Sequence, residues 1–142
     1  MKPRIGIVLA TVIAFILGTS LSLRSQTQVT TLFKVQVPFD FRVGSSHLSA
    51  GHYTVFHVGS QLIMLQRSDG KATSLSPVIV SNAPAEKLAS KLVFNRYGNQ
   101  YFLSQVWTAE DSQKHECFQS RSEQILLASQ HSSGTVTVVA KR

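Results

Sequence analysis

The chain has one cysteine, Cys117, one tryptophan and four prolines in 142 residues. A single cysteine rules out an internal disulfide framework and a four-cysteine zinc site. Charge is scarce as well. Asp, Glu, Lys and Arg make up 15% of the chain, against about 25% in an ordinary domain, so Ser, Thr and Gln must meet much of the water. The apolar share of 43% is too high for a disordered tail. Also missing are the glycine loops that cradle phosphates and the Gly-x-Ser-x-Gly, His-Glu-x-x-His and Cys-x-x-Cys signatures. Those absences weaken the case for an enzyme, and the length suits one domain.

The charge that is present leans positive, with 14 Lys and Arg against 7 Asp and Glu. Part of that excess sits at the start. Met1–Arg4 is a short basic stretch, Ile5–Leu17 is an uncharged apolar run, and Gly18, Thr19, Ser20 and Ser22 follow. Basic, apolar and small-polar regions in that order are the layout of a secretory signal peptide. The run of 13 residues fits such a signal and falls short of the roughly 20 that span a bilayer. We therefore expect residues 1–25 to be a leader cleaved between Ser20 and Gln26. Residues 26–142 would then form a single exported β-rich domain, periplasmic or extracellular. An uncleaved anchor is the alternative; a lipoprotein is excluded, since no cysteine stands at the junction.

Losing Lys2, Arg4 and Arg24 would leave 11 cations against the same 7 anions. They are scattered, with Lys87/Lys91 and Lys141–Arg142 the densest groups, and no stripe exists to track a phosphate backbone. Nucleic acid is thereby excluded as a partner. An anionic envelope polymer, a glycan or a lipid surface stays open, and no membrane span should persist after cleavage.

Period-two alternation dominates the rest. Phe33, Val35, Val37, Phe39, Phe41 and Val43 alternate with non-apolar residues, which predicts a strand with one face in a core. Pro38 has no N–H for a ladder and marks an edge or a break. Gly44–Ser46 and Ala50–Gly51 punctuate the chain before a strand at Tyr53–Val58. Asp69-Gly70 predicts a type I′ hairpin turn between Gln61–Ser68 and Lys71–Val80. Gly98-Asn99 predicts a two-residue loop between Lys91–Tyr97 and Gln100–Trp107, which would set Phe94 opposite Leu103 and Arg96 opposite Tyr101. Leu62–Leu65 lacks alternation, as a strand buried on both faces would. Ser81–Ser90 and Thr108–Glu116 read as connections. Ser120-Arg-Ser-Glu123 has capping-box spacing ahead of Ile125–Ala128, which predicts one short helix, and Thr135–Ala140 returns to strand. The expected fold is all-β, mainly antiparallel: a small sandwich or barrel of about seven or eight strands.

Four stretches, VPFDFRVGSSHLSAGHYTV (Val37–Val55), SDGKA (Ser68–Ala72), KLVFNRYGNQYFLSQVW (Lys91–Trp107) and SRSEQILLA (Ser120–Ala128), resemble a family of short, uncharacterised, exported bacterial β-rich proteins. Similar sequences carry Pro-Ala-Gly where this chain has Ser49-Ala50-Gly51, a change expected to loosen that turn. The resemblance implies an exported β-domain and carries no activity with it.

Candidate chemistry is thin. His47, His52 and His57 recur every five residues, but a step of five flips faces along a strand, so convergence on a metal is not expected. No cofactor is implied. His115-Glu116-Cys117 sets a thiol beside a base without a visible orienting group; Cys117 is read as a buried thiol or as one that reacts or pairs between chains. Ser68-Asp-Gly-Lys71 has Ser-x-x-Lys spacing, yet it spans a hairpin rather than opening a helix. The densest aromatic region gives the candidate binding surface: Arg96, Tyr97, Tyr101 and Trp107, where alternation would let Tyr101 and Trp107 share a face. The expectation is a non-enzymatic binding or structural module of the cell envelope. Rivals are a small barrel carrying an apolar ligand, a small hydrolase, and a dimer pairing through the edge near Pro38.

Overall fold

In the computed structural model, residues 26–82, 89–110, 112–129 and 133–140 are described; the expected leader lies outside them. The alternation from Phe33 builds β1 (Val29–Val37) and β2 (Phe41–Val43), with the break at Pro38–Asp40. Then follow β3 (Ser46–Leu48), β4 (Gly51–Val58), β5 (Leu62–Arg67), β6 (Thr73–Asn82), β7 (Lys91–Tyr97), β8 (Gln100–Thr108), β9 (Gln113–Cys117), α1 (Arg121–Ser129) and β10 (Ser133–Val139). These are ten strands rather than seven or eight. The excess is the three-residue pair β2 and β3, and β9, which lies in a segment expected to be a connection. β9 has no apolar alternation. Its inward residues are His115 and Cys117, and it is held as a strand by ladders to β6 and β8 on either side.

All ten strands form one sheet. Its main path runs β1-β4-β5-β6-β9-β8-β7-β10, with every neighbouring pair antiparallel. The β2–β3 hairpin hangs beside β8 through one parallel bridge, Arg42 to Phe102. The sheet rolls until β1 and β10 lie near each other, but no ladder joins them and the roll stays open. β6 makes the corner. Thr73–Pro77 pairs with β5 and Val78–Asn82 with β9. Pro77, lacking an N–H, stands at the changeover, where strands that switch sheets bend.

Inside the roll the inward positions of the strands meet. Val35, Val37, Phe41, Val43, Tyr53, Val55, Ile63, Leu65, Leu92, Phe94, Leu103 and Val106 are all buried in one cluster. Side chains fill this interior as they do in small closed barrels, although the roll itself is open. The continuous apolar run in β5 meets that core only through Ile63 and Leu65; Leu62 is exposed and Met64 half-buried on the opposite face. Burial on both faces, expected from the run, is therefore not supplied by the described chain.

Of the two hairpin turns expected from the sequence, one differs and one is as expected. Gly70 has φ 71° and Asp69 is not in the positive-φ region, so the turn is not type I′. Instead the Gly70 N–H donates to the Arg67 carbonyl and Arg67 N–H to the Ala72 carbonyl, with Asp69 Oδ1 accepting from Lys71 N–H. The Gly98-Asn99 loop is the expected two-residue connection, with Phe94 opposite Leu103 and Arg96 opposite Tyr101.

Ser120 caps α1, its hydroxyl accepting from the Glu123 N–H at 3.2 Å. The Glu123 side chain does not turn back to complete the box. It is buried, accepting from Asn95 Nδ2 at 2.9 Å and from the Tyr97 hydroxyl at 3.3 Å, and so anchors the helix on the outer face of β7. No helix among the described residues is long and apolar enough to cross a membrane.

Candidate functional site

A bulge decides how the aromatic residues are distributed. Val93 pairs with Gln105 and Phe94 with Leu103, leaving Ser104 as an extra residue in β8. It reverses the alternation: Leu103 is inward before it, and Val106 and Thr108 are buried after it. Tyr101 therefore lies on the core side while Trp107 faces outward. The shared face expected from unbroken alternation does not exist.

The candidate surface residues thus take three separate places. Tyr97 is 3% exposed under α1, where burial, with Glu123 adding to it, raises its phenol above the ordinary range. Trp107 sits in an outer row with its register partners Lys91 and Lys114, whose ammonium groups lie 4.5 and 5.9 Å from its ring centroid. Its indole N–H donates to Gln105 Oε1 at 2.9 Å. Such a row is a self-contained packing arrangement, with lysine stems covering the indole. Only Arg96 and Tyr101 remain together, the guanidinium 5.8 Å from the ring centroid and its Nε–H bonded to the Gly98 carbonyl.

Tyr101 also forms a wall of a cleft at that end of the roll, about 400 Å³ lined by Asp40, Phe41, Arg42, His47, Asn99, Gln100 and Tyr101. Phe39 stacks on the Tyr101 ring at 4.1 Å and meets Phe94 edge-on at 5.2 Å, so the aromatic wall is tied to the core. Arg42 projects outward between the buried Phe41 and Val43, and its register partner across the hairpin is His47. Two short turns aim these groups. Gly44, φ 58°, leads the Gly44-Ser45 loop, and Gly98, φ 59°, leads Gly98-Asn99. A glycine with positive φ at the first central position is what a type II′ hairpin turn requires.

The corner behind the hairpin is pinned twice. Asp40 Oδ1 accepts from the Ala50 N–H at 2.8 Å, and the Tyr53 hydroxyl donates to the Ser49 carbonyl at 2.6 Å. These two bonds hold the Ser49-Ala50-Gly51 turn without a proline. A Cβ on Gly44 would meet nothing within 4 Å, so Gly44→Ala is opposed by backbone conformation alone. The expected loss is about 1–2 kcal/mol, read from a urea midpoint; Gly44→Asn should lose less, since asparagine tolerates this conformation better.

The cleft offers a guanidinium, an imidazole, two side-chain amides and a phenol around a polar space, with the one carboxylate, Asp40, engaged by backbone. These groups can hold an anion or a hydroxyl-rich ligand by charge-assisted and neutral hydrogen bonds. Arg42 and His47 were missed as a pair because the sequence does not reveal that β2 and β3 form a hairpin. The Gly44-Ser45 step between them was the available signal.

The remaining candidates lie apart. His47 is on β3, His52 points outward from β4, and His57 points inward to meet His115 of β9, ring centroids 5.2 Å apart. Among the described residues no group of three or more His, Cys, Asp and Glu could hold a metal ion. Cys117 packs against the core, and burial pushes its thiol up to about 12, with Ser76 offsetting a little and Glu123 adding. A thiol so held is a poor nucleophile. The Ser68–Lys71 stretch lies in the β5–β6 turn.

The fold is a small open β-roll with a polar-lined cleft at one end. No protein-family model matches the chain, and no curated protein or solved structure matches it either.

Proposed function

We propose that this protein is a non-enzymatic, exported β-domain that binds an acidic glycan or similar anionic polymer of the cell envelope in the cleft between the β2–β3 hairpin and the β7–β8 turn. The observation that carries this reading is the cross-strand pair Arg42 and His47 on the wall of that cleft, beside Asn99, Gln100 and Tyr101. Placed directly opposite each other, the Arg42 guanidinium and the His47 imidazole can both donate hydrogen bonds to one anion held between them. The tyrosine adds a flat surface for a sugar ring, and the amides supply donors and acceptors for its hydroxyls. Export is supported by the order of regions in residues 1–25, and by the resemblance to exported bacterial proteins.

Isothermal titration with a uronic-acid oligosaccharide tests the reading. Arg42→Gln should weaken binding by about tenfold or more, the scale of one charge-assisted contact of about 1.5–3 kcal/mol, without moving the unfolding midpoint by more than a surface substitution does. Equal affinity in the two proteins would remove the cleft from the account.

A second reading, a carrier of an apolar ligand, is favoured by one feature. At the open seam a mouth of about 380 Å³ is lined by Leu32, Phe33, Ala109 and Ala140, with Lys34 and Glu110 also contributing. Lipid found by mass spectrometry on the purified protein would move the assignment there.

A further inference from the structure

The inner face of β7 changes character toward the β7–β8 turn. Leu92 and Phe94 are fully buried, and their register partners on β10 are Val138 and Val136. The next pair in that row is Arg96 and Gly134. Where one more apolar pair would continue the core, the chain sets a guanidinium opposite bare backbone. Neither conformation nor crowding calls for glycine at 134. Its φ lies outside the left-handed region, and a Cβ built there would meet nothing within 4 Å. The β7–β10 register runs unbroken through it, so no bulge explains it. Glycine inside a strand weakens the strand, and it is found where a ligand or another backbone comes close. Here the described chain supplies no such backbone. Gly134 instead lines a second cleft of about 260 Å³, together with Arg96, Gly98 and Ser133.

Arg96 is held in place at this cleft. Its Nε–H donates to the Gly98 carbonyl at 2.8 Å, which fixes the planar fork on the Gly98 side of the turn. The terminal N–H groups are left to donate elsewhere. No carboxylate pairs with them among the described residues, whose ion pairs are Arg67–Asp69 and Lys114–Glu116. The new cleft adjoins the one that contains Arg42. Gly98 lines the second and Asn99, the next residue, lines the first. β7 and β2 flank β8 at this end, so the two arginines reach the turn from opposite sides.

We propose that the Arg96–Gly134 cleft is a second subsite for the same acidic glycan, which lies across the Gly98-Asn99 turn with one sugar carboxylate at each arginine. This rests on the reading of the Arg42 cleft given above. It adds that the ligand is a chain of at least two uronic-acid units. Each residue of the subsite has a task. The terminal N–H groups of Arg96 match a carboxylate as a fork, and the Ser133 hydroxyl can exchange hydrogen bonds with a ring hydroxyl. Gly134 lets the sugar approach the strand where a side chain would otherwise stand. The two guanidiniums belong to different clefts, so one carboxylate does not serve both. Joining the two contacts through one polymer makes the second intramolecular, and binding exceeds that of either alone.

Calorimetric titration of the protein, as its own cells produce it, with a uronic-acid hexasaccharide provides the test. Urea midpoints are measured alongside. Wild type should take up one hexasaccharide per protein. Gly134→Val fills the space beside Arg96 and suits a strand better than glycine does. It should therefore weaken binding about tenfold while the midpoint holds or rises. A glycine needed only by the fold would give the opposite pair of results, a lower midpoint with binding unchanged. Arg96→Gln should also weaken binding about tenfold, the scale of one charge-assisted contact. Wild-type affinity in both variants would overturn the inference, as would two hexasaccharides per protein, since one spanning ligand fills both clefts. The two assignments fail separately. Weak binding by Arg42→Gln alone removes the subsite; weak binding by Gly134→Val and Arg96→Gln but not Arg42→Gln upholds the Arg96–Gly134 cleft and removes the first.

Discussion

Replacing Phe94 by alanine should lower stability by about 3–5 kcal/mol and the melting temperature by roughly 10 °C or more for a domain of this size. Phe94 is fully buried and joins two aromatic contacts, edge-on to Phe39 at 5.2 Å and to Phe41 at 5.3 Å. Phe41 in turn meets Tyr53 at 5.3 Å. Truncation leaves a cavity at the point where β1, β2, β4 and β7 converge, and rigid rings close such a space poorly. The consequence reaches the cleft. Phe39 carries the Tyr101 ring, so its loss of support should weaken ligand binding in any fraction that stays folded. Differential scanning calorimetry reads the first effect and titration below the melting transition reads the second. Phe94→Leu, which keeps most of the volume, should recover a large part of both.

The native protein should resist thiol reagents. With its thiol pushed up to about 12, Cys117 at pH 8 holds about one part in ten thousand as thiolate, against about a fifth for an ordinary exposed thiol. Labelling by an aromatic disulfide reagent should therefore run about a thousandfold slower in the native than in the urea-unfolded protein. The same shift makes stability depend on pH with a defined sign. The folded thiol releases its proton later than the unfolded one, so the stabilisation is complete below about pH 8.5. It is lost as pH rises from there toward 12, at up to about 1.4 kcal/mol per pH unit. Tyr53 and Tyr97, both raised chiefly by burial, act in the same direction at higher pH. Urea midpoints at pH 8, 9 and 10 should fall in wild type and fall less in Cys117→Ala. Rapid labelling of native protein would place Cys117 at the surface and restore it as a reactive group.

How legible this was depends on where the information lay. Alternation located β1, β4, β7 and much of β8, because one face of each meets a single core. The Gly98-Asn99 step even set the β7–β8 register. Capping chemistry located α1 through Ser120. The remaining features are set by non-local contacts. β9 is a strand because β6 and β8 flank it, not because Gln113–Cys117 has any pattern of its own. The bulge at Ser104 adds one residue with no composition signal, yet it separates Trp107 from Tyr101. The burial of Tyr97 depends on α1 arriving from the far end of the sequence with Glu123. Of the four candidate surface residues only Tyr101 lines the cleft, with Arg96 beside its ring, while Arg42 and His47 reach it through a hairpin that no local pattern announces.

The most direct measurement is backbone-amide NMR of the protein titrated with the uronic-acid oligosaccharide. The account predicts shifts concentrated at Arg42, His47, Asn99, Gln100 and Tyr101, saturating together and absent in Arg42→Gln. Shifts gathered around Lys91, Trp107 and Lys114 instead, with the cleft silent, would contradict it.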